Sequence, residues 1–172
     1  MGPLTEIKSQ PRDKYFLHLV DSIISQQLSG KASATILSRF QKLFPDQEIT
    51  PEKILELNDQ TIRDVGISFG KISYLKDLSV KILDGSIEIK KLAKMSDQDV
   101  IDHLVKVKGI GRWTAEMFLM FTLGRKDVYS LGDLGLTNGI KKLYQIENPT
   151  KEQILKITDK WSPYRSFGSL VL

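Results

Sequence analysis

Apolar residues recur at three- and four-residue intervals along nearly the whole chain, the period of helices buried on one face. Phe16, Leu19, Val20, Ile23 and Ile24 define a helix over Tyr15–Gln27, with Gly30 following it as a stop or turn. A second runs from Ala32 to Phe44 and closes before Pro45. Thr50-Pro51 reads as an N-cap followed by proline at the first helical position, opening short helices over Glu52–Leu57 and Asp59–Val65. Ile72, Leu75, Leu78, Ile82 and Leu83 mark an amphipathic helix from Phe69 to Leu83, ended by Asp84-Gly85. Ser96-Asp97-Gln98-Asp99 resembles a capping box with Asp in place of Glu and starts a helix to about Val105. Leu134–Tyr144 is a further helix, and Thr150-Lys151-Glu152-Gln153 caps one reaching Lys160. No run alternates with period two, so the fold class is all-α, about ten short helices.

One segment departs from simple amphipathicity. Trp113 to Leu123 is apolar on almost every side, which predicts a helix inside the core. Just before it stands Val107-Lys108-Gly109-Ile110-Gly111-Arg112, where two glycines flank one apolar residue. Such a backbone turns sharply and approaches another molecule closely. Exposed N–H groups at the helix start that follows would suit an anion, a DNA phosphate among them. Without further support, the two glycines favour a turn between helices with no ligand. About twenty residues on, Leu131-Gly132-Asp133-Leu134-Gly135-Leu136 sets one carboxylate among glycines and apolar neighbours.

Composition narrows the chemistry. At 172 residues, 41% hydrophobic and 27% charged, the chain fits one globular domain or two small lobes sharing a core. The absence of cysteine excludes disulfides, iron–sulfur clusters and thiolate zinc sites. His18 and His103 are too far apart in sequence to suggest a transition-metal site. Residues 113–123 are too few to span a bilayer, and residues 1–12 lack the apolar run of a secretory signal, so the cytoplasm is expected (the nucleoid, in a prokaryote). A net charge of +4 is compatible with a polyanionic partner without requiring one.

Four motifs in order carry a resemblance. Ile24-Ser25-Gln26-Gln27-Leu28-Ser29, Val107 to Glu116, Asp133-Leu134-Gly135-Leu136 and Trp161-Ser162-Pro163-Tyr164-Arg165-Ser166 are similar to those of helix-hairpin-helix DNA glycosylases, specifically the 3-methyladenine DNA glycosylase II branch. The resemblance runs from about Phe16 to the C-terminus. It implies a compact two-lobed helical bundle over residues 1–172, with the active-site cleft between the sub-lobes and no extra N-terminal β domain. The expected function is that of a monofunctional glycosylase. It would flip an alkylated purine (3-methyladenine or 7-methylguanine type) out of duplex DNA and hydrolyse the N-glycosidic bond, starting base excision repair. The alternative is a non-catalytic helix-hairpin-helix protein that binds distorted duplex by shape. The expected partner is double-stranded DNA carrying alkylated bases, met by a monomer with no membrane association.

The resemblance also distributes roles. Asp133 would be catalytic, stabilising the oxocarbenium-like sugar or orienting water; as an N-cap of the following helix it has a second, purely structural reading. Gln27, with Leu28 beside it, would be the wedge that fills the space left by the flipped base; the alternative is a helix end facing water. Gly109, Gly111 and Thr114 would hold a phosphate through N–H groups and the Thr114 hydroxyl. The carbonyls of Val105, Val107 and Ile110 match positions that hold a monovalent cation in relatives, so no cofactor is required beyond a structural Na+ or K+. Trp113 occupies the place of the Schiff-base lysine of lyase relatives, which implies no lyase step. It would line the base pocket and stack on an electron-poor purine, or it would be an ordinary core tryptophan. Lys71 and Tyr74 lie in a stretch similar to the family's Ser-x-x-Lys-x-x-Tyr-Leu pattern, with no chemical role to assign, and Tyr164 and Arg165 are expected to pack the last helix. Two departures stand out: Tyr129-Ser130 replaces an aromatic-Pro pair before the catalytic loop, and the last helix, as the sequence stands, lacks the pocket tryptophan of some members.

Overall fold

A computed structural model describes residues 7–172, and all regular structure among them is helical. The chain divides into two compact units, residues 11–112 and residues 7–10 with 113–172. Among the described residues no helix is long and apolar enough to cross a membrane.

The first unit holds α1 (Tyr15–Ser25), α2 (Gly30–Gln41), α3 (Pro51–Glu56), α4 (Asp59–Asp64), α5 (Phe69–Leu83) and α6 (Asp97–Leu104). α5 is its hub, packing against α1, α3 and α4. Its period-3.6 stripe of Ile72, Leu75 and Leu78 is fully buried, as are Leu19, Ile23 and Ile24 of α1, Ile54 of α3 and Ile62 of α4. The polar starts are local and legible. Thr50 accepts the Lys53 N–H, with Pro51 at the first position of α3, and Ser68 accepts the Lys71 N–H to open α5. At α6, Ser96 accepts the Asp99 N–H, but Asp99 takes the Ser96 hydroxyl at 2.6 Å in place of a backbone N–H. One methylene shorter than Glu, Asp completes only half of the expected box.

Gly30 corrects the expected boundary. It is not the stop of α1; it is the first residue of α2, with Ser29 as N-cap accepting the Ala32 N–H. α1 ends two residues earlier than expected, because the chain turns at Gln27 in the left-handed region (φ 57°). That conformation is usual for glycine and uncommon for glutamine.

The second unit contains α7 (Arg112–Phe121), α8 (Leu134–Tyr144), α9 (Lys151–Thr158) and α10 (Arg165–Val171). The Thr150 capping box forms as expected, with Gln153 reaching back to the Thr150 N–H at 2.9 Å. α7 is less buried than its composition suggests. Thr114, Ala115, Phe118, Leu119 and Met120 are inside, but Trp113 and Phe121 keep 49% and 51% exposure. Two large aromatics of this apolar helix face outward, so its composition alone implies more burial than the helix has.

The segment leading to α8 is anchored from α10. Asp127 accepts Arg165 Nε and Nη2 at 2.8 and 2.9 Å, the Arg165 N–H at 3.1 Å and the Ser162 hydroxyl at 3.0 Å. The Arg165 guanidinium, outweighing partial burial, holds the Asp127 carboxyl at about 2 against an ordinary 3.8. A depressed carboxylate contributes stability above its unfolded pKa, and that contribution disappears as pH falls through about 2. The shift corresponds to about 2 kcal/mol before screening, and 30% exposure of both side chains reduces this to about 1–2 kcal/mol. Asp127→Asn is therefore expected to lower unfolding free energy by that amount at neutral pH, with the loss fading as pH falls through about 2. Denaturant titrations at the two pH values check this, and an equal loss at both would show that packing, not charge, is what Asp127 supplies.

Candidate active site

Asp133 stands at the junction of a loop and a helix. Its backbone is extended (φ −80°, ψ 119°), and its Oδ1 accepts the Leu136 N–H at 3.0 Å, so it N-caps α8 as the sequence suggests. Its main-chain oxygen accepts the Thr137 N–H and hydroxyl at 3.0 and 2.9 Å. The second carboxylate oxygen is engaged from α7, where Trp113 Nε1–H donates to Oδ2 at 2.7 Å. Partial burial pushes the Asp133 pKa upward, but donors from Trp113, Leu136 and Gly135 outweigh it and hold the group below the ordinary carboxylate value. The result is a fixed, ionised carboxylate with restricted access to water, the group needed to stabilise a developing cation.

Neither sequence reading of Trp113 includes this bond. The residue is half-exposed, not a core tryptophan, and its N–H orients Asp133. Tyr129 is a second residue near Asp133 to which the sequence motifs give no role. Its Oη is buried without a hydrogen-bond partner, and burial, then the Asp133 charge, pushes the hydroxyl above the ordinary tyrosine range. Behind the loop, buried Glu116 accepts the hydroxyl of buried Ser130, fixing the segment three residues before Asp133. Ser130 is thus held in place by a side-chain hydrogen bond.

In the other unit lie the hairpin and the expected wedge. Gly109 sits at φ +77°, and a Cβ there would fall inside the Tyr74 ring. Gly111 is different: its backbone is outside the left-handed region, it is exposed, and a Cβ would meet nothing within 4 Å. Ile110 N–H closes the turn onto Val107 O at 3.1 Å, and the Lys108 N–H is held by Asp77 Oδ2 at 2.8 Å. Gln27 and Leu28 are both exposed, whereas Gln26 turns back and donates from Nε2 to Gly109 O at 2.8 Å. Thr114, at the start of α7, is buried, with 6% exposure.

Comparison with known proteins gives a consistent result. The HhH-GPD superfamily base excision DNA repair protein family matches residues 20–163. A putative DNA-3-methyladenine glycosylase of Bacillus subtilis is 37% identical over 90% of this chain, which spans 56% of that relative's length. Among solved structures, a DNA-3-methyladenine glycosidase from Bacillus halodurans superimposes with a TM-score of 0.87 at 36% identity, covering 97% of this chain and 76% of the other. A 3-methyladenine DNA glycosylase of Schizosaccharomyces pombe, solved in complex with abasic DNA, gives 0.80 at 32% identity, covering 95% and 83%. By the family match and the fold together, the chain belongs to the HhH-GPD superfamily of base excision DNA repair proteins.

Proposed function

We propose that this protein is a monofunctional DNA glycosylase that removes alkylated purines from duplex DNA. The observation that carries the reading is the ionised Asp133 carboxylate, fixed between the Trp113 N–H and the start of α8. A protein that only gripped DNA would gain nothing from a carboxylate held charged beside a polyanion.

The chemistry follows from the substrate. Purines methylated at N3 or N7 already carry positive charge and leave without an added proton. The bond from C1′ to the base nitrogen breaks, the base departs with the bonding pair, and the sugar becomes oxocarbenium-like. Asp133 stabilises that cation, and water then adds to C1′ and loses a proton, leaving an abasic site. Trp113 stands where lyase relatives have lysine, so no amine attacks the sugar. The exposed Trp113 ring offers a π face to the cationic base.

Binding rests on the hairpin and the wedge. Nothing inside the protein requires residue 111 to lack a side chain, which fits a backbone kept bare for a phosphate. Gly109 and Gly111 would supply N–H donors, and exposed Gln27 and Leu28 would fill the space vacated by the base. Val107 O keeps a second lone pair after accepting the Ile110 N–H, so oxygens of the Val105, Val107, Ile110 set suit a hard cation such as Na+ or K+. That ion would offset phosphate charge at the hairpin. Names of relatives support the substrate class, as does the abasic DNA bound by the S. pombe protein.

The test uses duplex DNA treated with a methylating agent. Release of 3-methyladenine and 7-methylguanine, strand breaks appearing only after alkaline heating, and no borohydride-trapped adduct are expected. A trapped adduct would overturn the monofunctional assignment. Intact bases with retained, salt-sensitive binding would replace the enzyme with a non-catalytic binder of distorted duplex.

A further inference from the structure

α5 carries Lys71, Tyr74 and Asp77 three residues apart, along one side of the helix. Each ends at a segment that the proposed function uses. Asp77 holds the Lys108 N–H, and Tyr74 lies against Gly109. Lys71 reaches the end of α1, where its Nζ donates to Ile24 O and Gln26 O, both at 2.7 Å. Those carbonyls belong to the last turn of α1 and the residue after it, where helical partners run out. A cation there is favoured by the helix dipole as well. Immediately beyond, Gln27 adopts φ 57°, and the Leu28 N–H closes the turn onto Ser25 O at 3.1 Å.

We propose that Lys71 is the positioning residue of the wedge: its ammonium clamps the final carbonyls of α1, so that the chain turns at Gln27 and presents Gln27 and Leu28 outward. The clamp replaces the glycine that usually permits such a turn. Two of the three ammonium protons are committed to carbonyls, which directs Lys71 to the turn and not to a phosphate. Burial pushes Lys71 below the ordinary lysine range, consistent with carbonyl oxygens taking over from water. Gln26, held between the clamp and Gly109 O, ties this turn to the hairpin, so wedge and hairpin share one rigid support.

This inference rests on the glycosylase reading, and its test separates the two. Single-turnover excision of 7-methylguanine is measured opposite cytosine and opposite thymine, because a wedge matters most where the base must be pulled from a stable pair. Lys71→Met is expected to slow excision opposite cytosine by about ten- to a hundredfold, with a much smaller loss opposite thymine. Lys71→Arg should recover most of the rate. Gln27→Ala is the control and should show the same dependence on pairing. If Gln27→Ala shows it and Lys71→Met loses equally on both substrates, or loses nothing, the positioning role is overturned while the wedge stands. If Gln27→Ala shows no dependence, the wedge reading falls and the role of Lys71 falls with it. Should Lys71→Met fail to fold, Lys71→Gln, which keeps N–H donors without the charge, is judged by the same criteria.

Discussion

Asp133→Asn is expected to slow base release roughly a thousandfold while leaving DNA binding intact or slightly tighter. Opposite charges about 4 Å apart at an effective dielectric of about 20 attract by about 4 kcal/mol. If that attraction develops only as the sugar becomes cationic, its loss slows excision roughly a thousandfold. Asparagine keeps the side-chain oxygen that caps α8, so the Leu136 N–H keeps an acceptor and the helix start survives. What disappears is the charge. Removing a negative group near a polyanion also removes repulsion, so affinity for abasic product DNA should not fall. Excision at an unchanged rate would mean that Asp133 is a cap and nothing more.

The bond from Trp113 adds a pH signature to the same experiment. Trp113→Phe keeps the ring but removes the Nε1–H donor, and desolvation then acts on Asp133 with less opposition. Its pKa should rise. Activity requires the ionised form, so the acid limb of the kcat/KM profile should move to higher pH, with the plateau reduced less than in Asp133→Asn. A limb that stays in place would remove the orienting role of Trp113.

These two residues also show where sequence reading succeeds and where it stops. Helix periods and caps are local, so α5 and α8 appear at their sequence-expected bounds, and Thr50, Thr150 and Asp133 cap as their residue types suggest. Asp133 itself is legible because a carboxylate amid glycines and apolar residues is chemically conspicuous. The N–H that holds it is not, because Trp113 lies twenty residues earlier in a run that reads as plain core. Lys71 is the extreme case. Its motif position is visible, but its partners are backbone oxygens 45 and 47 residues away, which leave no trace in side-chain identity. For the same reason Gln27 gives no warning that it occupies a left-handed turn: the clamp that stabilises the turn belongs to another helix. The one signal at hand was the spacing of Lys71, Tyr74 and Asp77, which sets three polar side chains along one side of a helix whose apolar stripe is already complete.

Gly111→Val and Gly109→Ala should fail in opposite ways, and the contrast tests the hairpin directly. At 111 the backbone is ordinary and a Cβ meets open space, so valine should leave folding stability near wild type apart from a small penalty for a β-branched residue. Its methyl groups would nevertheless occupy the surface that a phosphate must approach. Affinity for lesion-containing and undamaged duplex should fall together, and the salt dependence of binding should weaken, because a backbone contact carries no base information. At 109 the conflict is internal. The left-handed φ of +77° and the Tyr74 ring both reject a Cβ, so even alanine must displace the turn or the ring. Gly109→Ala should therefore lower thermal stability, and lose DNA binding only as a consequence of a displaced hairpin that also releases Gln26. Melting curves beside salt-titrated binding isotherms separate the two. Wild-type affinity in Gly111→Val would take the phosphate away from this turn and leave the bare position 111 without a function.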